Sequence, residues 1–340
     1  MAAFDDGLNL VGARCRHDRY YDKMSDGLAE LHLHLEGSIQ PETLREIDPS
    51  LTAQEIAANT AYRDFAGFIQ SYIWVNRRLR APEHYAIAAR RLFEKLAGEG
   101  VVYAEVTLSA GMMLWKSQDF AAIFKAVERE AGRAPLAVRW ILDAVRQFGA
   151  AAAAPVVELA RERVRDGVVA FGLGGFEGGA PAADFAELYR RARDGGLHTV
   201  CHAGETTNAQ NVWDALAIGA ERIGHGIRAI EDARLMEHLR EKNIPLEICI
   251  SSNVRTGAVS SLEAHPARRL FEAGVPLLLN TDDPALFECS LREEYEIARK
   301  CFGFSEPDLR EIRENAFRYS FDGRISSRAS GESRPRSPYS

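Results

Sequence analysis

Eight apolar runs of strand length alternate with amphipathic helical segments along this chain, which predicts an α/β fold of the (β/α)8, or TIM, barrel class. Two further observations point the same way. Most runs are continuous Val, Ile and Leu, as parallel strands covered on both faces require. Histidines and acids also collect just past the ends of the runs, where the loops of a barrel converge on one pocket. An open doubly wound sheet is the structural rival.

The first run is LAELHLH, at 28–34. Residues 39–82 then form an oversized connection, with helix-like pieces that carry Phe65, Phe68, Ile69, Tyr72 and Trp74. An insertion after strand one sits over the barrel mouth and reads as a helical lid, with plain aromatic packing onto the barrel as the alternative. A helix is expected over 83–97, followed by VVYAEVTL (101–108) and AVRWILDA (137–144). A helix over 150–165 leads to VVAFGLGG (168–175), LHTVCHA (197–203) and ERIGHG (221–226). Helices over 232–242 and 261–273 bracket IPLEICI (244–250), and VPLLLNT (275–281) is the eighth run. The pattern gives one domain over 28–321, with no interior linker or repeat. Residues 1–27 carry scattered charges and read as a poorly ordered extension, in which Met24 is a candidate natural start. The tail 322–340, DGRISSRASGESRPRSPYS, has almost nothing to bury and is expected to be disordered.

Composition narrows the function. The 340 residues are 46% hydrophobic, enough for a large core. A net charge of -7 leaves no broad basic surface for nucleic acid or acidic lipid. The five cysteines form no C-x-x-C pair, which fits reduced thiols in a cytoplasm. No run approaches a membrane span and the start lacks a secretory signal, so a cytoplasmic protein is expected. No surface stripe marks an interface, and a monomer or weak homo-oligomer is the expectation.

The chemistry begins at ELHLHLEGS. On a strand, His32 and His34 face the same way and can take adjacent corners of a metal's shell. A bare His-x-His is weak evidence until partners join it. They come from the ends of later strands: His202 and Glu205, His225, and Asp282 with Asp283. Only a closed barrel brings these loops together. Three histidines and one aspartate suit a borderline divalent ion, and we assign one Zn2+ per chain to His32, His34, His202 and Asp282. Zinc lowers the pKa of bound water from about 15.7 to roughly 7. Glu205 is the carboxylate best placed to move protons, and His225 is the remaining partner to the hydroxide, with a fifth ligand or a loop hydrogen bond as its alternatives.

HLHLEGS, GLGGFE, TVCHAGET, RIGHGIR, SNVRTGAV and LNTDDPALF together resemble, in order, the motif set of the adenosine deaminase family of the amidohydrolase superfamily. The resemblance runs from about Ala29 to Phe321. It implies a zinc-dependent hydrolase that removes the 6-amino group of an aminopurine. By the same resemblance Glu205 delivers a proton to purine N1, and His225 and Asp282 orient the attacking hydroxide. Asp283 would bond N7, the Gly175 amide would meet N3, and the lid aromatics Phe65 and Phe68 would line the substrate. Glu36 stands where typical members have an aspartate that contacts the ribose end. Gly172 and Phe176 replace residues that are commonly acidic, CISSN replaces the usual Cys-x-Thr-Ser-Asn, and VTLSAGMMLW is unusual. These departures leave the metal chemistry intact and sugar recognition open. TGAV after Asn253 favours the nucleoside branch, so adenosine or deoxyadenosine is the expected substrate, with 6-aminodeoxyfutalosine, a menaquinone-pathway nucleoside, as rival and adenine behind both. Two readings of other classes compete. A two-metal amidohydrolase needs a bridging group after strand four, where Glu177 is the only candidate. A non-catalytic purine-binding or growth-factor-like relative needs a degenerate site, which the motifs do not show.

Overall fold

The computed structural model describes residues 27–325. Eight parallel strands pair in sequence order: β1 (Leu28–His34), β2 (Val101–Leu108), β3 (Ala137–Val145), β4 (Val168–Gly174), β5 (His198–Ala203), β6 (Arg222–His225), β7 (Leu246–Ile248) and β8 (Leu277–Leu279). All eight predicted runs are strands of one barrel, with helices between them. The ring closes just beyond β8, where Leu33 bridges Asp282. There the His34 amide donates to the Asp282 carbonyl at 2.8 Å and the Asp282 amide to the His32 carbonyl at 2.9 Å. The backbone that closes the barrel is thus the backbone that carries the candidate metal ligands.

The layers follow from the sequence pattern. β3 is buried along its whole length, as a strand sandwiched between barrel interior and helices must be. The connection after β1 folds as α1 (Pro41–Ile47), α2 (Ala53–Thr60) and α3 (Phe65–Asn76), before α4 (Pro82–Gly98) returns the chain to β2. Thr52 and Glu55 form a capping box on α2, and the Asp64 side chain caps α3. α4 starts on a proline and buries Tyr85, Ala88, Ala89, Leu92, Phe93 and Leu96, the i, i+3, i+4 stripe of an amphipathic helix. α3 is fastened to the loop after β8: the Phe68 ring stacks on Phe287 at 4.9 Å, and the Tyr62 hydroxyl donates to the Leu286 carbonyl at 2.7 Å.

Two boundaries differ from the sequence expectation. The helix expected over 261–273 begins only at Ala267 and runs to Glu272. Pro266 disfavours helical backbone at His265, and the His265 ring accepts the Ala267 amide at 3.2 Å in place of a helical carbonyl. Residues 322–325, expected as the start of the tail, pack against the barrel. Asp322 pairs with Arg139 at 2.6 Å, and Ile325 is buried against Leu31, Tyr103 and Phe317. The expected extension up to residue 26, with Met24, and the tail beyond 325 lie outside the described residues.

The barrel floor is polar. Arg222, 1% exposed, reaches Glu105 at 2.7 Å and Glu247 at 2.6 Å, and its guanidinium lies 3.7 Å from the centre of the Phe321 ring. Removing one partner from such a buried pair costs about 3–5 kcal/mol, so this knot fixes the strands under the site. Among the described residues no helix is long and apolar enough to cross a membrane.

Candidate active site

His32 and His34 project inward from β1, His202 from β5 and His225 from the end of β6, while Asp282 follows β8. His225 and Asp282 hold left-handed backbone, φ 61° and 64°, a strained conformation for residues with side chains and one that clusters at functional sites. The strain is held by neighbours. The Asn280 side chain accepts the Leu31 and His32 amides at 2.8 and 3.1 Å, and the Glu30 carboxylate accepts the Thr281 amide at 3.0 Å.

Ligand atoms of His32, His202, His225 and Asp282 all lie within 4.8 Å of one another. His34 joins them: its Nε2 is 3.3 Å from Asp282 Oδ1 and 3.3 Å from His202 Nε2. His32 Nε2 is buried, has no hydrogen-bond partner and stands 3.6 Å from the same Oδ1. Asp282 therefore divides its two oxygens. Oδ1 faces the imidazoles of His32 and His34, with His202 beside them. Oδ2 accepts from the Ser252 hydroxyl at 2.7 Å and lies 3.9 Å from His225 Nε2. The structure thus brings together all five residues that the sequence singles out for the ion and its water.

The donors have the protonation a divalent ion needs. Burial lowers His34 to about 4 and takes His202 well below the usual imidazole range, leaving neutral rings. Burial also works to raise the Asp282 carboxyl, but His32 and the neighbouring histidines hold it well below the carboxylate range. His32 is the exception. Burial would lower it, yet the carboxylates of Asp282 and Glu247 raise it to about 10, which marks the space between Nε2 and Oδ1 as one that attracts positive charge. Its other nitrogen, Nδ1, is 2.6 Å from Glu247 Oε2, a carboxylate–histidine pair that orients the ring and leaves Nε2 for an ion. The orphaned Nε2, the neutral rings and the shared carboxylate fit a bound divalent cation.

On the Oδ2 side a chain of hydrogen bonds sets the tautomer of His225. The Ala267 amide donates to His265 Nδ1, so His265 carries its proton on Nε2 and gives it to Asn253 Oδ1 at 3.2 Å. The Asn253 amide then donates to His225 Nδ1 at 3.1 Å. His225 keeps its proton on Nε2, which faces Glu205 Oε2 at 3.8 Å. Burial first, then the charges of Asp282 and Glu177, push Glu205 up to about 8. Burial and Asp282 likewise push Asp283 well above the usual range. Both carboxyls can therefore hold a proton to give.

Glu177 has another task. Its carboxylate accepts the amides of Gly204, Glu205 and Thr206 at 2.8, 2.8 and 3.0 Å and the Thr207 hydroxyl, anchoring the loop that carries Glu205. With both oxygens so engaged, it has none left to bridge a second ion.

A cavity of about 160 Å³ opens over these groups. Phe65, Phe68, Gly175 and Asp283 line it as expected, together with Ile69, Tyr72, Ile73 and Met112. Glu36 does not reach the wall: it is 1% exposed and its Oε1 accepts the Ser109 amide at 3.1 Å. Ser109 and Asp143 line the cavity there instead. Sequence reasoning passed over Asp143, although an acid near the carboxyl end of the otherwise apolar run WILDA was the available signal. It also passed over Asn253 and His265, whose roles depend on a loop path that no spacing reveals.

The family model described as Adenosine deaminase matches residues 27–329. An aminodeoxyfutalosine deaminase of Streptomyces avermitilis is 38% identical over 86% of this chain and 86% of its own length. An adenosine deaminase of Yersinia enterocolitica is 33% identical over 86% of this chain and 93% of its own. The crystal structure of an adenine deaminase from Arthrobacter aurescens superposes with a TM-score of 0.80 at 28% identity, covering 89% of this chain and 98% of that one. The chain is an adenosine-deaminase-type hydrolase and belongs to the adenosine deaminase family.

Proposed function

We propose that this enzyme removes the 6-amino group of an aminopurine nucleoside by hydrolysis, with adenosine or deoxyadenosine as substrate and one zinc ion per chain. The observation that carries the reading is the division of Asp282, with one oxygen toward the clustered imidazoles and the other toward His225 and Ser252, beside Glu205. His32, His34, His202 and Asp282 would hold the ion, which when bound supplies a water acidic enough to ionise near neutral pH. His225, with its proton on Nε2, and Asp282 Oδ2 orient the oxygen that adds at C6. Glu205 gives its proton to N1 as that bond forms, so that negative charge does not build on the ring. Asp283 donates to N7 and the Gly175 amide meets N3. As the tetrahedral carbon collapses, its hydroxyl proton passes to the amino nitrogen, the C6–N bond breaks and ammonia leaves, while the proton lost when the water ionises returns Glu205 to its acid form. The enzyme acts on a small molecule in the cytoplasm, as a monomer or weak homo-oligomer.

6-Aminodeoxyfutalosine is the second reading. It draws on the Streptomyces relative and on the apolar wall of Phe65, Phe68, Ile69 and Ile73. Loss of 6-aminopurine absorbance in the ultraviolet, followed with adenosine, deoxyadenosine, adenine and aminodeoxyfutalosine, ranks these substrates. Turnover of none of them sinks the proposal. Dialysis against a chelator is expected to abolish turnover, and one equivalent of zinc to restore it. Activity that survives with no metal in the protein would overturn the assignment of the ion.

A further inference from the structure

The proposed reaction uses Glu205, Asp282 and Asp283, but a fourth acid on the cavity wall has no part in it. Asp143, near the carboxyl end of β3, is 5% exposed, and its Oδ1 has no hydrogen-bond partner. A buried acceptor left without a donor costs about 1–3 kcal/mol, so one kept on a pocket wall is understandable when a ligand supplies the donor. The adjacent strand is shaped around it. A Cβ on Gly172 would lie 2.7 Å from Asp143 Oδ1, and one on Gly174 would lie 2.6 Å from Oδ2. Two positions of β4 without side chains are what let this carboxylate stand there.

Its place in the barrel indicates what it meets. The ends of β1, β5 and β6 and the segment after β8 carry the proposed chemistry, whereas Asp143 lies within β3, and Ser109, Met112 and Gln147 follow β2 and β3, on another arc. An aminopurine with C6 at the histidines turns its other end away from them, toward that arc. Among the described residues that line the cavity there is no lysine or arginine, so the arc suits a neutral donor and not an anion. Glu36, the residue expected to meet the sugar, is already tied to Ser109 behind the wall.

We propose that Asp143 is a substrate-reading residue whose carboxylate accepts a hydrogen bond from the end of the aminopurine remote from C6. The donor is a sugar hydroxyl in a nucleoside or the ring N9–H in a free base. The inference rests on the deaminase reading above. Burial, then the charge of Glu36, push the Asp143 carboxyl up to about 8, and a ligand donor would relieve that cost.

The test compares wild type, Asp143→Ala and Gly172→Ala with adenosine and adenine, checking zinc content and melting temperature for each protein. Gly172→Ala keeps Asp143 but crowds its Oδ1. Both variants are expected to lose at least tenfold in kcat/KM, chiefly through KM, on one substrate only: adenosine if a sugar hydroxyl is the donor, adenine if it is N9–H. Equal loss on both substrates, or loss on neither, overturns the proposal. Should wild type deaminate no aminopurine, the deaminase reading fails, and calorimetric binding of purine riboside and purine decides the role of Asp143. Selective weakening of one ligand in Asp143→Ala would support it, and equal weakening or no binding by wild type would overturn it.

Discussion

Glu205 and His225 face each other across 3.8 Å, and their proposed roles separate cleanly in variants. Glu205→Gln keeps size and hydrogen bonding but has no acidic proton, so kcat is expected to fall by about 10²–10⁴ while zinc stays bound. Full activity with retained zinc would refute the proton transfer. His225 depends on a donor two residues removed from the chemistry. Asn253→Asp replaces the amide that donates to Nδ1 with an acceptor, which draws the ring proton to Nδ1 and away from Nε2. A fall in kcat of about 10–100-fold with little change in KM is expected, as for other partners that orient a functional histidine. Nitrogen NMR of the histidine ring reads the tautomer directly, and an unchanged tautomer would count against the relay. The five clustered residues were legible in the sequence because each lies at a strand end, where position alone dictates direction. Asp143 was hidden because one charge inside an apolar run does not disturb the strand pattern. Asn253 and His265 were hidden because they lie twelve positions apart, with mostly irregular chain between them.

Strands and loops divide the work differently. The strands were legible because burial on both faces leaves only apolar runs, and even β7 and β8, three residues each, keep that signature. Loops obey local hydrogen bonding instead, which is why the expected helix over 261–273 gives way to a turn built by His265 and Pro266. The loop after β5 shows the same rule at the site, since one carboxylate, Glu177, gathers three successive amides there. Glu177→Ala would leave those amides unpaired. A loss of about 2–4 kcal/mol in urea unfolding is expected, at about 1–3 kcal/mol for each buried group less what water recovers. Catalysis should fall at least tenfold as Glu205 loses its fixed position. A variant as stable and active as wild type would show that the loop holds itself, and a lost second ion would return Glu177 to the metal.

Burial of so many titratable groups in one barrel makes the stability of the metal-free protein depend on pH, and the sign follows from the direction of each shift. Burial lowers His34, His225 and His265 to about 4, so between pH 4 and the ordinary imidazole value the unfolded chain binds more protons and stability rises with pH. Burial raises Glu36 and Glu294 to about 7 and Asp143 and Glu205 to about 8, so across that range the folded chain binds more protons and stability falls as pH rises. His32 adds to the fall. Burial alone would lower it, but Asp282 and Glu247 raise it to about 10, and the stability it contributes near pH 6 is lost on the way there. Below about pH 6.5 the two trends oppose each other, whereas above it the histidine gain is complete and the falling contributions of the buried acids and His32 set the trend up to about pH 8.5. Calorimetry of chelated protein is therefore expected to give a lower melting temperature at pH 8.5 than at pH 6.5, by roughly 2–4 °C for each kcal/mol lost. Glu294 lies outside the metal cluster and accepts the Ile250 and Ser251 amides at 2.7 and 3.2 Å, so Glu294→Gln removes one falling contribution with an acceptor kept in place. That variant should show a shallower decline over the same interval. A melting temperature that rises from pH 6.5 to 8.5 in the metal-free protein would mean that the buried acids are already ionised in the fold.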